Sequence, residues 1–257
     1  MANIDVEDIR DKVKAMYQAV ANEPHGTFHF EMGYDLAARL GYPKEDLDET
    51  PAEAIESFAG VGHHLGLAAL RAGDRVVDLG SGSGMDAFLA ARRVGGDGQV
   101  VGVDMTDAQL AKSRRLADRD GYPNTTFEKG YVEHAPVADG SATVVISNGV
   151  INLCNDKAVV FREIARILEP GGRMAISDIV TERPLTEAIV CDVNLWASCI
   201  GGAMQQDDYR AAIEAAGLRV NAVQDNPEYA FISDSAQGAT GTFGVKSISI
   251  LATKPSS

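Results

Sequence analysis

Positive charge and long apolar runs are both scarce in this sequence of 257 residues. Lysine and arginine total 23 against 37 acidic residues, which gives a formal net charge of −14. Nucleic acids and anionic membrane surfaces are bound by clusters of lysine and arginine, so the composition predicts neither partner. Because no run of about 18 apolar residues is present, no transmembrane helix is expected either.

Cysteine is also rare, and its pattern argues against a disulfide framework. The three cysteines are Cys154, Cys191 and Cys199, an odd number without a paired spacing. Neither C-x-x-C nor H-E-x-x-H occurs, so no metal site is predicted. The polar N-terminal stretch "MANIDVEDIRDKVK" lacks the apolar core of a secretory signal. Together these features predict a soluble, cytoplasmic protein.

The residues that are abundant divide the chain into two parts. Residues 4–21 carry apolar side chains at helical spacing, and short helical patterns without strand candidates continue to residue 66. This part is predicted to be an N-terminal helical cap, residues 1–66. From residue 74 onward, short apolar runs alternate with helical patterns, which is typical of an α/β fold with a buried, mostly parallel sheet.

The predicted strands set the architecture of the second part, residues 67–257. They are 75–80, 99–105, 125–130, 142–148, 173–180, 218–225 and 247–254. The run "LEPGGR" stops a helix before the fifth strand, because Pro170 and two glycines interrupt the helical pattern. The last strand has no helix after it and is expected to insert antiparallel. Residues 181–210 are predicted to be a lid insertion.

The most informative stretch is "VVDLGSGSGMDAF", residues 76–88, a strand that leads through glycines into a helix. Its glycines are Gly80, Gly82 and Gly84, which read G-x-G-x-G. The dinucleotide fingerprint G-x-G-x-x-G would need its third glycine at Met85, and the P-loop would need a lysine that is absent here. Neither phosphate-binding pattern therefore fits.

Two acids at strand ends indicate a different ligand. Asp78 precedes the glycines, where a carboxylate would repel a pyrophosphate but would attract an ammonium group. Asp104 ends the next strand, where an acid accepts hydrogen bonds from ribose hydroxyls. Ribose with an ammonium group and no phosphate describes S-adenosylmethionine.

Five segments together resemble the successive motifs of class I methyltransferases: "VVDLGSGSGMD", "VGVDMT", "FEKGYVE", "VVISNGVINL" and "ILEPGGRMAISD". The resemblance implies a Rossmann-like fold with a seven-stranded, mostly parallel sheet and S-adenosylmethionine as cofactor. It implies that Asp78 holds the amino group, Asp104 the ribose, and Asn148 the methionine end. The full set of implied cofactor residues is Asp78, Gly80, Ser81, Gly82, Gly84, Asp104, Met105, Tyr131, Val132, Glu133 and Asn148.

The second half of the chain is similar to a narrower family, the arsenite S-adenosylmethionine methyltransferases. The similarity lies in "SNGVINLCNDKAVVFREIARILEPGGRMAISDIV" and in "LWASCIGGAMQQDDY". It implies that three thiolates hold trivalent arsenic with its lone pair aimed at the methyl group, so that alignment provides most of the catalysis. This sequence has Val61 and Gly149 at two of the implied cysteine positions, and only Cys199 matches.

Cys191 and Cys154 lie in segments near the expected pocket. We therefore predict a rearranged acceptor site in which Cys199, Cys191 and Cys154 bind the acceptor. Several alternatives remain open. The three thiols could be core residues. The acceptor could be a thiol or sulfide, or a carbon or oxygen of a small metabolite, as in the quinone C-methyltransferases that share "LEPGGR".

Two further alternatives concern catalysis itself. A cap histidine, His29, His63 or His64, could act as a general base for an acceptor that carries a proton. The chain could also be a cofactor-binding module that transfers nothing. A small-molecule acceptor is predicted as the partner, and the sequence carries no signal for an oligomeric state.

Overall fold

The computed structural model describes residues 6–190, 196 and 200–256. Within residues 6–74 it contains helices and no strands, as the sequence predicts. The longest helix buries Ile9, Val13 and Val20 along one face, at the spacing of an amphipathic helix. The helices of this part are α1 (Val6–Asn22), α2 (Gly33–Arg39), α3 (Lys44–Asp48), α4 (Ala52–Glu56) and α5 (Leu65–Ala68).

From residue 75 strands and helices alternate, which confirms the predicted α/β class. The first group is β1 (Arg75–Leu79), α6 (Met85–Val94), β2 (Gln99–Asp104), α7 (Asp107–Asp120), β3 (Thr125–Lys129), β4 (Ala142–Asn148), α8 (Lys157–Ile167) and β5 (Leu168–Thr181). The second group is α9 (Glu187–Val190), β6 (Met204–Gln205), α10 (Gln206–Ala215), β7 (Arg219–Asp225), α11 (Asp234–Phe243) and β8 (Lys246–Thr253).

The main path of the sheet has seven strands in the order β3-β2-β1-β4-β5-β8-β7. Strands β1 to β5 pair in parallel, and β8 is antiparallel to both β5 and β7. The predicted seven-stranded, mostly parallel sheet and its antiparallel last strand are therefore confirmed. The two-residue β6 is an addition that pairs with β5 beside the main path.

The central strands explain why the apolar runs are nearly continuous. Strands β1 and β4 are buried along almost their whole length, because helices cover both faces of a parallel sheet. From β1 the chain continues to β2 and β3 on one side, and it returns to β4 and β5 on the other. Ligands of such sheets bind at this reversal, beyond the carboxyl ends of the strands.

One strand begins earlier than predicted. The sequence indicates that "LEPGGR" stops a helix and that the fifth strand starts at residue 173, but β5 already starts at Leu168. The reason lies at the C-terminus of the described chain. The Gly171 N–H donates to Lys254 O (2.9 Å), and the Lys254 N–H donates to Gly172 O (2.8 Å). Residues after β8 thus supply partners for backbone that the proline and glycines would otherwise leave irregular.

The cap packs onto the sheet and does not form a separate core. Tyr42 and Phe58 of the cap belong to the same buried cluster as Phe88 of α6 and Ile146 of β4. The shared core attaches the cap to the sheet, and the Val61 N–H of the cap donates to Asn148 Oδ1 at the carboxyl end of β4 (2.8 Å). The division of the chain at residue 66 stays a prediction.

Within the predicted insertion 181–210, the structure describes residues 181–190, 196 and 200–210. Trp196 is buried and packs with Ile9 and Val13 of α1. Its indole Nε1–H donates to Val190 O (2.5 Å). The insertion is therefore attached to the cap helix through the only tryptophan of the sequence. Among the described residues, no helix has the length and apolar character that crossing a membrane requires.

Candidate functional site

A cavity lies beyond the carboxyl ends of β1, β2 and β4, below the cap. Apolar side chains of the cap, including Val13 and Phe58, form its upper wall. The structure brings all of the predicted cofactor residues except Gly84 to this one cavity. They are Asp78, Gly80, Ser81, Gly82, Asp104, Met105, Tyr131, Val132, Glu133 and Asn148.

The glycine turn is tied to the neighbouring strand by its own backbone. The N–H groups of Gly80 and Ser81 both donate to Val103 O, at 2.8 and 3.0 Å. Gly80 has φ +77°, and a Cβ atom there would lie 2.4 Å from Val150 Cγ2. Only glycine fits this position, because a side chain would be strained by the backbone angle and would collide with Val150.

Gly84 stands at the start of α6 and packs inward, outside the lining of the cavity. Its φ is +95°, and an added Cβ atom would lie 2.8 Å from Phe127 Cζ and 2.9 Å from Phe88 Cε2. The third glycine of the motif therefore permits close packing of the turn on two aromatic rings.

Replacing Gly84 by alanine is expected to lower the free energy of unfolding by about 1–3 kcal/mol, because the left-handed backbone and the two rings both resist a side chain. Gly96→Ala is the matched control, since Gly96 has open space around it and no positive φ. That control should stay within about 0.5 kcal/mol of the wild type. Urea denaturation measures both, and equal stabilities of the two variants would contradict the packing role.

Asp104 is held in place by backbone N–H groups of the glycine turn and of the residue that precedes α7. Its Oδ1 accepts from Thr106 N–H (2.8 Å) and its Oδ2 from Gly82 N–H (2.9 Å). Burial raises the pKa of this carboxyl, while the backbone donors act in the opposite direction. Each oxygen keeps a further lone pair, so the carboxylate can still accept from ligand hydroxyls.

Asp78 is buried at the end of β1 and lacks a full set of partners. Its Oδ2 has no hydrogen-bond partner among the described residues. Burial raises its pKa well above the ordinary range, and the charges of Asp86 and Asp104 add to that increase. A buried carboxylate without a cation is costly, so this position favours a ligand that brings an ammonium group. The residues present thus fit the predicted cofactor.

A third aspartate of the cavity, Asp86, was not among the residues predicted from the sequence. It lies in the first turn of α6, where its Oδ1 accepts from the Tyr42 hydroxyl (2.7 Å) and its Oδ2 from Asn148 Nδ2 (3.1 Å). An acid in a first helical turn usually stabilises the helix N-terminus, so its position in the sequence did not distinguish it.

Asn148 joins the cap to the end of β4. Its Nδ2 donates to Gly62 O (3.0 Å), and its Oδ1 accepts from Val61 N–H (2.8 Å). Residues 60–62 therefore cross the strand ends close to the cavity. An added Cβ at Gly60 would lie 2.5 Å from Asn148 Nδ2, which shows how closely this segment approaches the sheet.

At the end of the cavity near Tyr131 and Glu133, α1 contributes Arg10 to the lining. The Arg10 guanidinium lies 4.6 Å from the centre of the Tyr131 ring, and it pairs with Glu133 Oε1 at 3.4 Å. Val132 between them is buried. Arg10 was not predicted from the sequence, because nothing in a polar helix face indicates a partner 123 residues away.

Of the three cysteines predicted to bind the acceptor, the structure describes Cys154. Cys154 lines the cavity, and its Sγ–H donates to Val150 O at 3.7 Å. Burial raises the pKa of this thiol above its ordinary value, and the charge of Glu133 adds to the increase. Cys191 and Cys199 lie outside the described residues.

The histidines that could act as general bases stand outside the cavity lining. His63 packs against Tyr42, with ring centres 4.3 Å apart, and burial lowers its pKa. His64 is completely buried, which lowers its pKa to about 4. His29 packs edge-on against Phe30. None of these three histidines lines the cavity.

The two positions where the arsenite-methyltransferase resemblance implies cysteines contact each other in space. Val61 is buried and packs with Ile179 and Val245, while Gly149 has φ +71°. A Cβ atom at Gly149 would lie 3.1 Å from Val61 Cγ1. In this chain the pair forms an apolar contact beside the cavity.

A family model described as a methyltransferase domain matches residues 70–217, more than half of the chain. The chain belongs to this methyltransferase-domain family. The match and the sheet topology confirm the predicted class I Rossmann-like fold and S-adenosylmethionine as the cofactor.

Among individual proteins, the chain is similar to arsenite methyltransferases. The one from Halobacterium salinarum is 36% identical over 250 residues, covering 91% of this chain and 63% of the relative. The one from Aquipseudomonas alcaligenes is 38% identical over 210 residues, covering 79% and 60%. The chain thus spans less than two thirds of the length of these curated relatives.

A solved structure supports the same similarity. The crystal structure of an arsenic(III) S-adenosylmethionine methyltransferase from Chlamydomonas reinhardtii aligns with a TM-score of 0.63 and 32% identity. The alignment covers 88% of this chain and 74% of that chain. The predicted resemblance to arsenite methyltransferases is therefore confirmed.

Proposed function

We propose that this protein transfers the methyl group of S-adenosylmethionine to trivalent arsenic. One observation carries the donor half of the proposal: Asp78, Asp104 and the glycine turn meet at one cavity, with an oxygen of Asp78 left for a ligand. The acceptor half is supported by the relatives, which are arsenic methyltransferases.

In the proposed donor site, S-adenosylmethionine extends along the whole cavity. Asp78 binds the ammonium group and Asp104 accepts from the ribose hydroxyls, with Gly82 holding Asp104 in position. Met105 and Val132 pack against the adenine, near Tyr131 and Glu133. When bound, S-adenosylmethionine supplies an electrophilic methyl group, and these residues hold it in one orientation.

An acceptor with a lone pair agrees with the residues around the cavity. Trivalent arsenic has such a pair and carries no proton that must be removed before methyl transfer. None of the three cap histidines lines the cavity, and burial keeps His64 neutral at physiological pH. In this account catalysis rests on alignment of acceptor and methyl group.

The proposed arsenic ligands are Cys154, Cys191 and Cys199. Each arsenic–sulfur bond forms as a hydroxyl of arsenous acid leaves with the thiol proton as water. Thiol exchange therefore does not require a free Cys154 thiolate, whose formation burial opposes. Residues 181–210 are the proposed cover of the acceptor, and the cytoplasm, where cysteines stay reduced, is the proposed location.

Methyl-labelled S-adenosylmethionine, arsenite and dithiothreitol should together yield labelled methylated arsenic, detected by mass spectrometry. Cys154→Ser is expected to lower this transfer at least tenfold, because a soft ligand is lost, while the dissociation constant for S-adenosylmethionine stays unchanged. Transfer only to dithiothreitol, or full arsenic methylation by a variant without the three cysteines, would contradict the thiol-held arsenic.

A further inference from the structure

Three carboxylates near the glycine turn line the cavity, and they differ in how they are held. Asp104 accepts from two backbone N–H groups, and Asp78 has an oxygen without a partner among the described residues. Asp86 is fixed by two side chains, because the Tyr42 hydroxyl donates to Oδ1 (2.7 Å) and Asn148 Nδ2 donates to Oδ2 (3.1 Å).

The position of Asp86 places it at the methionine end of the proposed cofactor site. Asp86 bonds to Asn148 at the end of β4 (3.1 Å), and its charge adds to the increase that burial causes in the pKa of Asp78. Asp104 lies on the other side of Asp78, where the ribose would bind. Asp78 and Asp86 therefore flank the same space.

The negative charges of Asp78 and Asp86 favour a cationic ligand group between them. Arg10 is the only lysine or arginine among the described residues that line the cavity, and it pairs with Glu133 at the opposite end. An ammonium group has three N–H donors, while a carboxylate has about four acceptor sites. Asp86 uses two of these sites for Tyr42 and Asn148, so it can still accept from a ligand.

We infer that Asp86 is a second ligand for the ammonium group of the cofactor, and that Tyr42 of the cap is the positioning residue that holds it. The inference rests on the proposed binding of S-adenosylmethionine. It gives the cap a role in donor binding, because Tyr42 lies between α2 and α3 and is separated from Asp86 by 44 residues of sequence.

Two ligands that differ only in the amino-acid arm test this role. S-Adenosylhomocysteine carries the ammonium and carboxylate groups, and 5′-methylthioadenosine has the same adenosine and thioether without them. Titration calorimetry of the full chain should show that Tyr42→Phe and Asp86→Asn each raise the dissociation constant for S-adenosylhomocysteine about tenfold. The dissociation constant for 5′-methylthioadenosine should stay within about twofold in both variants, since the adenosine contacts remain.

Tyr34→Phe is the matched control, because the Tyr34 hydroxyl donates to the exposed Asp48 (3.3 Å) and Tyr34 lies outside the cavity lining. It should bind both ligands as the wild type does. The loss of affinity in the double variant Tyr42→Phe/Asp86→Asn should be smaller than the sum of the two single losses, since the Tyr42 hydroxyl bonds to Asp86 and also accepts from Asn148 Nδ2 (3.1 Å).

Equal losses for the two ligands would overturn the inference, because they would show that Tyr42 and Asp86 only support the fold. Unchanged binding of S-adenosylhomocysteine by both variants would also overturn it. If the wild type bound neither S-adenosylmethionine nor S-adenosylhomocysteine, the proposed function itself would fail, which separates that outcome from the other two.

Discussion

Asp78→Asn is expected to raise the dissociation constant for S-adenosylmethionine about 100-fold, which corresponds to about 3 kcal/mol. The asparagine keeps the shape of the side chain and removes the charge that faces the ammonium group. In the wild type this carboxyl is buried, has an unpartnered Oδ2, and lies near Asp86 and Asp104. The loss of affinity therefore measures what the negative charge of Asp78 contributes to binding in an enclosed site.

The same substitution should stabilise the protein when no cofactor is bound. The folded-state pKa of Asp78 is raised, so the folded chain holds a proton that the unfolded chain releases above about pH 4. Its contribution to stability is lost as pH rises from that value through the folded pKa. Asparagine does not titrate, so it avoids this loss. We expect the melting temperature of Asp78→Asn to be a few degrees higher near pH 7, which corresponds to about 1–2 kcal/mol in the free energy of unfolding.

The affinity for S-adenosylmethionine should rise with pH, whereas the contribution of Asp78 to stability falls. Pairing with an ammonium group requires the ionised carboxyl, so the wild type should bind S-adenosylmethionine more tightly as pH rises through the raised pKa of Asp78. Calorimetry between pH 5 and 8 would measure the change, and Asp78→Asn should remove most of it. A lower melting temperature of the variant together with wild-type affinity would contradict both parts of the account.

Asp104→Ala is expected to weaken binding of S-adenosylmethionine by about 1–3 kcal/mol through lost charge-assisted hydrogen bonds to the ribose. The structure adds a second cause. The Asp104 carboxylate accepts from Gly82 and Thr106, so its removal frees both the glycine turn and the start of α7. Binding of 5′-methylthioadenosine should fall in parallel, since it contains the same ribose.

Asp97→Ala serves as the control for Asp104→Ala. Asp97 is an exposed acid in the loop between α6 and β2, and it lies outside the cavity lining. Its substitution should leave the affinity for both adenosine ligands unchanged. Wild-type affinity of Asp104→Ala, measured by calorimetry, would rule out the ribose assignment.

The features that the sequence predicted well are local ones. Buried strands appear as apolar runs, and the glycine turn with Asp78 and Asp104 lies within 27 consecutive residues, 78–104. Parallel strands bring their carboxyl ends to one edge of a sheet, so the order of strands and acids along the chain is enough to predict that Asp78 and Asp104 meet.

The features that the sequence did not predict depend on contacts between distant parts of the chain. Tyr42 and Asp86 meet because the cap folds over the strand ends, and Arg10 reaches Glu133 only when α1 docks. The contact between Val61 and the Gly149 position has the same origin. Neither periodicity nor motif spacing encodes such pairs, because each partner alone resembles an ordinary helix or loop residue.

A crystal structure with S-adenosylhomocysteine bound would test the central claim most directly. Its amino group should lie within about 3 Å of Asp78 Oδ2, its ribose hydroxyls should bond to Asp104, and its sulfur should face the side of Cys154. The ligand bound elsewhere, or oriented with its adenine toward Asp78, would contradict the assignment of this cavity to the methyl donor.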